Sequence, residues 1–588
     1  MELLIKNARV LDGTGKPPFD ANIGIEGGSI SYIGPEAPEA AQLMDAGGMC
    51  LAPGFIDAHS HSDYTLPVYP DAQSAIAQGI TTMCAGNCGM SPSPCHRLYL
   101  PFSFEERALA EVLPEPFGGV NPGFMQTVPA ELLHEPFRKL YGVDLNWRSF
   151  GEYVRHLRET GIAPNLMAAV GHGAARCQVM GADIHRPASA EETGEICRIC
   201  AQSMDEGAIG VSLGLDYDPG NWADEAELEA VARCTAEKGK TLFVHYQMRP
   251  ARRGAQIPGH TSVDGLLEVL SLARRTGVHL HLSHLSASFN VRPYDKKLAE
   301  LGARRVIEIV EEHRALGMKV TYDALANYTG GDFFYPNIAQ RFLPYVLQAG
   351  GMEAFSRALR TGNYKRLITD DICAGRHPSS SVMTRLDPLA APAWGGSALI
   401  TRCSDERCVG KTIGELCRER GYGYVELLLD ILEADPFACY NMWSGAEGAV
   451  DTEVFLSVPD MPLGLDVSAV DYVQRTAFAD GRPENKRSTG TYCGFVKYLT
   501  SGREPLETMV RHLTSAAAEA LGLSDRGRVE PGFTADLVLF DPAELDAREN
   551  FAEPAQRPAG IDSVFVNGAP VLLRGRFTGT RPGEVLIR

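Results

Sequence analysis

Short runs that alternate apolar and polar residues open the chain: Leu3-Leu4-Ile5, Ala8-Arg9-Val10-Leu11, Asn22-Ile23-Gly24-Ile25, a Gly27-Gly28 turn, then Ser29-Ile30-Ser31-Tyr32-Ile33. Period-two runs joined by glycine turns predict β-hairpins. The pattern returns at the other end, where 535–540 reads as a strand and 563–566 meets an Asn567-Gly568 turn before 570–573. Neither end has enough strands to bury a face alone, so the pattern predicts one small β-sandwich domain built by both termini, 1–53 and 526–588. Between them the pattern becomes strand–helix alternation. Apolar strand-like runs fall at 54–58, 80–85, 165–170, 208–213, 241–244, 278–282, 319–322 and 462–465. Amphipathic stretches such as 190–206, 225–238, 263–275 and 303–316 separate most of them. This alternation predicts an α/β fold, a (β/α)8 (TIM-like) barrel over 54–525. A doubly wound open sheet would alternate similarly, but reactive residues just past the ends of several strands favour the barrel. A barrel needs about 250 residues, leaving roughly 200 as insertions. Two long βα insertions, 91–147 and 333–460, are expected to act as lids or pocket walls.

Charge narrows the function classes. The 588 residues carry 55 Lys and Arg against 74 Asp and Glu, a net charge of −19, which counts against a nucleic-acid partner because phosphate contacts need clustered cations. Hydrophobic residues at 44% supply material for a real core. No apolar run reaches the about 18 residues of a membrane span. The first residues lack the layout of a signal peptide, so a cytoplasmic protein with no membrane partner is expected. Fourteen scattered cysteines do not make a disulfide framework. Individual thiols are therefore candidates for chemistry.

The sharpest motif is Pro53-Gly54-Phe55-Ile56-Asp57-Ala58-His59-Ser60-His61-Ser62-Asp63. Residues i and i+2 of a strand share a face, so His59 and His61 project together, half of a site for zinc or a similar ion. Val244-His245, Leu282-Ser283-His284 and Leu465-Asp466 end three further strand-like runs. One such histidine is usually a satisfied polar group; five residues in register around one barrel mouth point to a metal centre. A two-metal site also needs a bridging anion. A carbamylated lysine on the fourth strand is excluded, since no lysine lies between Lys139 and Lys238. Ala85-Gly86-Asn87-Cys88-Gly89 ends the second strand instead, and a thiol on zinc deprotonates to a strong soft ligand. Cys88 is the candidate bridge. Cys197-Arg198-Ile199-Cys200 has metal-like spacing but lies on an amphipathic stretch and reads as core packing. His279 and His281 sit further from the strand end and are left out of the site. Asp370-Asp371 reads as a loop acidic pair.

These residues resemble the amidohydrolase superfamily, and within it the N-acyl-D-amino-acid deacylase (D-aminoacylase) family. The resemblance spans nearly the whole chain. It includes 54–63, Gln78-Gly79-Ile80-Thr81-Thr82 leading to Gly86-Asn87-Cys88-Gly89, Val170-Gly171-His172-Gly173 with Arg176, and 207–217. It continues through Ser283-His284, Arg487-Ser488-Thr489-Gly490-Thr491-Tyr492, 513–518, and Asp525-Arg526-Gly527 with 531–538. The resemblance implies a tighter metal on Cys88, His245 and His284, and a weaker one on His59, His61 and Asp466, with one or two zinc ions as cofactor. It also implies a carboxylate clamp at Arg487, whose other reading is an exposed loop arginine. His172 reads equally as a residue supporting substrate binding or as an ordinary strand-end histidine. Asp466 is the candidate catalytic base: zinc lowers the pKa of water from about 15.7 to about 7, and Asp466 is placed to take that proton and pass it to a leaving amine.

The departures fall on the substrate side. The family's Thr-His-x-Arg-x-Glu is Val244-His245-Tyr246-Gln247-Met248-Arg249 here, its lysine after the sixth-strand histidine is lost in Ser283-His284-Leu285-Ser286, and its Tyr-Pro-Tyr segment becomes Asp323-Ala324-Leu325-Ala326-Asn327-Tyr328. The expectation is a zinc-dependent hydrolase of linear amides whose partner is a small N-acylated substrate. A cyclic amide hydrolase of the dihydroorotase or hydantoinase kind and a non-catalytic binding protein of the same fold are the alternatives. The reading is compatible with a homo-oligomer.

Overall fold

The computed structural model describes residues 1–99, 127–248, 251–253, 255–257, 260–287, 295–326, 338–374, 398–442, 449–473, 489–550 and 554–587. The N-terminal runs form strands Leu3–Val10, Phe19–Glu26, Ser29–Gly34, Gln42–Asp45 and Cys50–Pro53, and the C-terminal runs form Leu537–Phe540, Ile561–Val566, Ala569–Leu573 and Arg576–Phe577. Cys50–Pro53 joins the two groups. It pairs in parallel with Leu3–Val10 and antiparallel with Leu537–Phe540. Bonded along both edges, it links the strands of both termini into one continuous nine-stranded sheet. Alternation divides its faces. Ile5, Val10, Ile23, Leu51, Leu537, Leu539 and Phe565 pack into a core of their own, while Leu11, Cys50, Ala52, Val538, Phe540 and Val564 join the main core. A buried polar network fixes this junction: Asp536 accepts from Arg526, from Asn165 at the start of a central strand, and from the Asn567 backbone N–H.

The central strands are short and fully or largely buried, as expected where helices cover the outer face. Phe55–Asp57, Ile80–Ala85 and Asn165–Ala168 pair in parallel. So do Val170–Gly171, Gly210–Gly214, Thr241–His245, His279–Leu282 and Val320–Tyr322. Ala324–Leu325 pairs with Leu463–Gly464. Backbone bonds Ala169 N–H to Ala85 and Ile209 N–H to Ala168 connect the first two groups, and bonds from Ala58 N–H to Leu463 and Asp466 N–H to His59 bring the last strand beside the first. The helices follow their caps. Ala190–Asp205 starts at a reciprocal Ser189–Glu192 box, and Asp224 caps Glu225–Glu237. Lys296–Ala315 begins earlier than the amphipathic stretch at 303, because Asp295 caps it by accepting the Leu298 N–H.

Within 333–460, the described parts carry a separate hydrophobic cluster around Ile338, Phe342, Phe355, Ile400, Leu428 and Ile431. Asp370 and Asp371 lie there in helix Tyr364–Cys373, not in a loop. Cys200 is buried in the main core, as its helical spacing suggested. Among the described residues no helix is long and apolar enough to cross a membrane.

Candidate active site

The site assembles where the central strands end. His59 and His61 follow Phe55–Asp57 and are both buried. The buried Asp57 carboxylate accepts the His59 N–H at 3.1 Å and the Leu465 N–H at 3.0 Å, tying the first strand end to the segment that bears Asp466. Cys88 sits in a turn after Ile80–Ala85 that only small residues permit. Gly86 and Gly89 both have φ of 72°, and a Cβ would lie 2.0 Å from Ala169 O at Gly86 and 2.7 Å from Gly214 N at Gly89. That close approach carries the Cys88 thiol in among histidines from three other strand ends.

The distances come within several tenths of an ångström of those around a shared ion, His245 Nδ1 and His284 Nε2 being the nearest pair at 2.9 Å. Cys88 Sγ lies 3.4 Å from His59 Nε2, 3.7 Å from His245 Nδ1 and 3.4 Å from His284 Nε2. Asp466 Oδ1 lies 3.0 Å from His61 Nε2 and 3.4 Å from His59 Nε2. Zinc bonds of about 2.0–2.3 Å in a tetrahedron hold neighbouring donors roughly 3.3–3.6 Å apart. Two donor groups result, His59–His61–Cys88–Asp466 and Cys88–His245–His284, each with its ligand atoms within 4.8 Å of one another. Cys88 belongs to both.

Backbone strain marks the same residues. Cys88, His284 and Asp466 have φ of 57°, 34° and 56°. The left-handed region costs a non-glycine residue roughly 1–2 kcal/mol, and such strain clusters at functional sites. Here it sits on three of six candidate ligands.

Electrostatics point the same way. Burial would raise the Cys88 thiol, but the charges of His59 and His284 and bonds from His245 and His284 hold it well below its usual value. Burial opposes protonation of His59, yet Asp323 and Cys88 outweigh it and hold that ring well above its usual value. Against the same burial, Asp466 and Cys88 lift His61 to about 10, and Asp216 and Cys88 lift His245 to about 9. Despite its burial, Asp466 is held well below the usual carboxylate range by His59 and His61. A cluster that stabilises a thiolate and carboxylates against raised histidines attracts positive charge, and a metal ion takes these atoms by displacing protons. The donor set of one thiolate, four imidazoles and one carboxylate fits a zinc-class ion.

Three residues that sequence reasoning left outside the site adjoin it. Asp216 Oδ2 takes His245 Nε2 at 3.1 Å, turning Nδ1 toward Cys88, while Asp216 Oδ1 accepts the Met248 N–H at 3.0 Å. Asp323 lies 3.4 Å from His59 Nδ1, and His281 Nε2 reaches Asp323 at 2.9 Å. For Asp216 and Asp323 the available signal was an acidic residue one or two positions past a buried strand.

His172 goes elsewhere. Its Nε2 lies 2.8 Å from Glu227, which also binds the buried Arg176 guanidinium. Burial works against the Glu227 charge, but His172 and Arg176 hold its carboxyl at about 2. Glu227→Gln is expected to destabilise the fold by about 3–5 kcal/mol, because Arg176 loses its buried counter-charge. Urea unfolding measures this, and metal content is expected to stay at the wild-type level; a neutral effect on stability would show that the cluster is not structural. Arg487 lies outside the described residues.

A family model described as the amidohydrolase family matches residues 42–306 and 484–572, more than half of the chain. Curated relatives include a D-aminoacylase from Alcaligenes xylosoxydans xylosoxydans, 27% identical over all of this chain and 98% of the relative. An N-acyl-D-glutamate deacylase from the same organism is 27% identical over all of this chain and 97% of the relative. A crystal structure of N-acyl-D-glutamate deacylase from Bordetella bronchiseptica, complexed with zinc and a phosphonate inhibitor, superposes with a TM-score of 0.67 at 24% identity, each chain covered in full. The α/β architecture is thus shared with solved amidohydrolases, and the motifs, the strand-end cluster and the family match converge: the chain belongs to the amidohydrolase family.

Proposed function

We propose that this amidohydrolase deacylates N-acyl-D-amino acids, or a closely related N-acylated small carboxylate, using one or two zinc ions. The observation that carries the reading is the strand-end group around Cys88, which offers two overlapping donor sets joined by one thiol. Full-length similarity to a D-aminoacylase and an N-acyl-D-glutamate deacylase supports the substrate class. In this reading His59, His61 and Asp466 would hold one ion and Cys88, His245 and His284 the other, with the Cys88 thiol within reach of both groups. The central strands, which fall on the eight apolar runs of the sequence, would close as a (β/α)8 barrel spanning 54–525, a reading supported by the backbone bonds between the first and last strands. The terminal segments 1–53 and 526–588 form the accompanying β-domain, and 91–147 and 333–460 are read as insertions in the barrel.

A bound zinc-class ion supplies Lewis acidity toward a carbonyl oxygen and acidifies water to a pKa of about 7. The residues do the rest. Asp466 Oδ1, kept anionic between His59 and His61, accepts the proton of the attacking water and delivers it to the departing amine nitrogen. Its side chain is 17% exposed, more open than those of His59 and His61. Asp216 fixes the tautomer of His245 so that Nδ1 is the donor atom. Arg487, on its motif alone, is assigned to grip the substrate carboxylate bidentately.

The test is a panel of N-acetyl-D-amino acids, their L enantiomers and cyclic imides offered to zinc-loaded protein. Turnover confined to D enantiomers is expected. Turnover of cyclic imides alone would move the protein to the hydantoinase-like reading, and none at all to a binding role.

A further inference from the structure

We propose that Asp323 is the positioning residue that preforms the metal centre, clamping donors from two different strand ends with one buried carboxylate. The proposal rests on the reading of the Cys88 group as a metal site. Asp323 is the first residue after strand Val320–Tyr322 and is completely buried. Its backbone lies in register against the segment that carries His284: Asp323 N–H bonds Leu282 O at 3.1 Å and Asp323 O accepts the Leu285 N–H at 2.9 Å. Between those two bonds, Asp323 Oδ1 accepts the His284 N–H at 2.9 Å. That bond secures the backbone at the position where φ is 34°, a conformation that needs support from its surroundings.

The other oxygen does a different task. Asp323 Oδ2 lies 3.4 Å from His59 Nδ1 and 2.9 Å from His281 Nε2. With Nδ1 carrying the proton toward Asp323, the lone pair of His59 sits on Nε2, the atom 3.4 Å from Cys88 Sγ. His281 is held in turn by Thr321, whose hydroxyl oxygen is 2.8 Å from His281 Nδ1. Asp323 therefore receives N–H groups on both of its oxygens, which only a carboxylate of this length satisfies. An amide presents one oxygen and one NH2. In Asp323→Asn, NH2 on the Oδ1 side opposes the His284 N–H. On the other side it opposes His281 and drives His59 to the tautomer with its proton on Nε2, where the metal needs a lone pair.

The experiment compares metal-free full-length wild type with Asp323→Asn. It measures Zn2+ affinity by competition with a chromophoric chelator, the visible absorption of the Co2+ form, and thermal unfolding of the metal-free proteins. The expected result is a 10–100-fold loss of Zn2+ affinity and an altered Co2+ spectrum. Wild-type affinity and an unchanged spectrum would overturn the proposal, whatever happens to thermal stability, because a merely structural carboxylate moves only the unfolding. Should Asp323→Asn not fold, His281→Leu removes one donor from Oδ2; a measurable loss of Zn2+ affinity with an altered Co2+ spectrum is expected, and no change in either overturns the idea. Failure of the substrate assignment shows in wild-type turnover, whereas failure of this proposal shows in the metal binding of the variants.

Discussion

Cys88→Ala is expected to be purified with far less zinc than wild type and to lose amide hydrolysis. The magnitude follows from the ligand count. Zinc sites bind with about 10–16 kcal/mol, so one of four ligands contributes roughly 3 kcal/mol, or on the order of 10²-fold in affinity. Cys88 is the member common to both donor groups, so its removal weakens both at once. The result is specific to this thiol. Cys84, four residues upstream and also fully buried, is pushed up by burial and stays neutral, so Cys84→Ala is expected to keep its metal. Zinc analysis of the two variants side by side checks the claim; equal zinc in Cys88→Ala and wild type would remove the thiolate from the centre.

Asp466→Asn is expected to lower kcat by about 10²–10⁴-fold, the usual contribution of a positioned acid–base group. The substitution keeps an oxygen within reach of His61 and His59, which lie 3.0 and 3.4 Å from Asp466 Oδ1. It removes the charge that accepts the proton. KM is expected to shift less than kcat, because the loss falls on the transition state and not on substrate binding. Steady-state kinetics with the metal content of each preparation measured in parallel separate lost chemistry from lost metal. A wild-type kcat in the variant would assign the proton transfer to another group.

The central strands were legible because they are short, apolar and punctuated by reactive residues. The run at 80–85 became strand Ile80–Ala85, and the run at 241–244 became Thr241–His245. Cys88, His245, His284 and Asp466 stood out because each ends such a run, where a buried backbone gives way to a polar side chain. The glycines beside Cys88 announced a close approach that the structure puts at Ala169 and Gly214.

Other features were hidden for physical reasons. His281 lies within strand His279–Leu282, three residues short of the ligand position, and its partner Asp323 comes from the neighbouring strand end. Pairing across strands leaves no local signature in sequence. The start of helix Lys296–Ala315 was missed because its first turns carry few apolar residues, and Leu298 and Leu301 are exposed. The joining of both termini in one hydrogen-bonded sheet depended on Cys50–Pro53 bonding along both edges, which alternation cannot reveal.

The most direct test of the metal-centre account is a titration. Protein stripped by a chelator is reloaded with increasing Zn2+ while hydrolysis of an N-acetyl-D-amino acid is followed. The account predicts no turnover by stripped protein and a rate that rises with added zinc, saturating at one or two ions per chain. Full activity in the stripped protein, or a fully loaded protein that hydrolyses no N-acyl-D-amino acid, would contradict it.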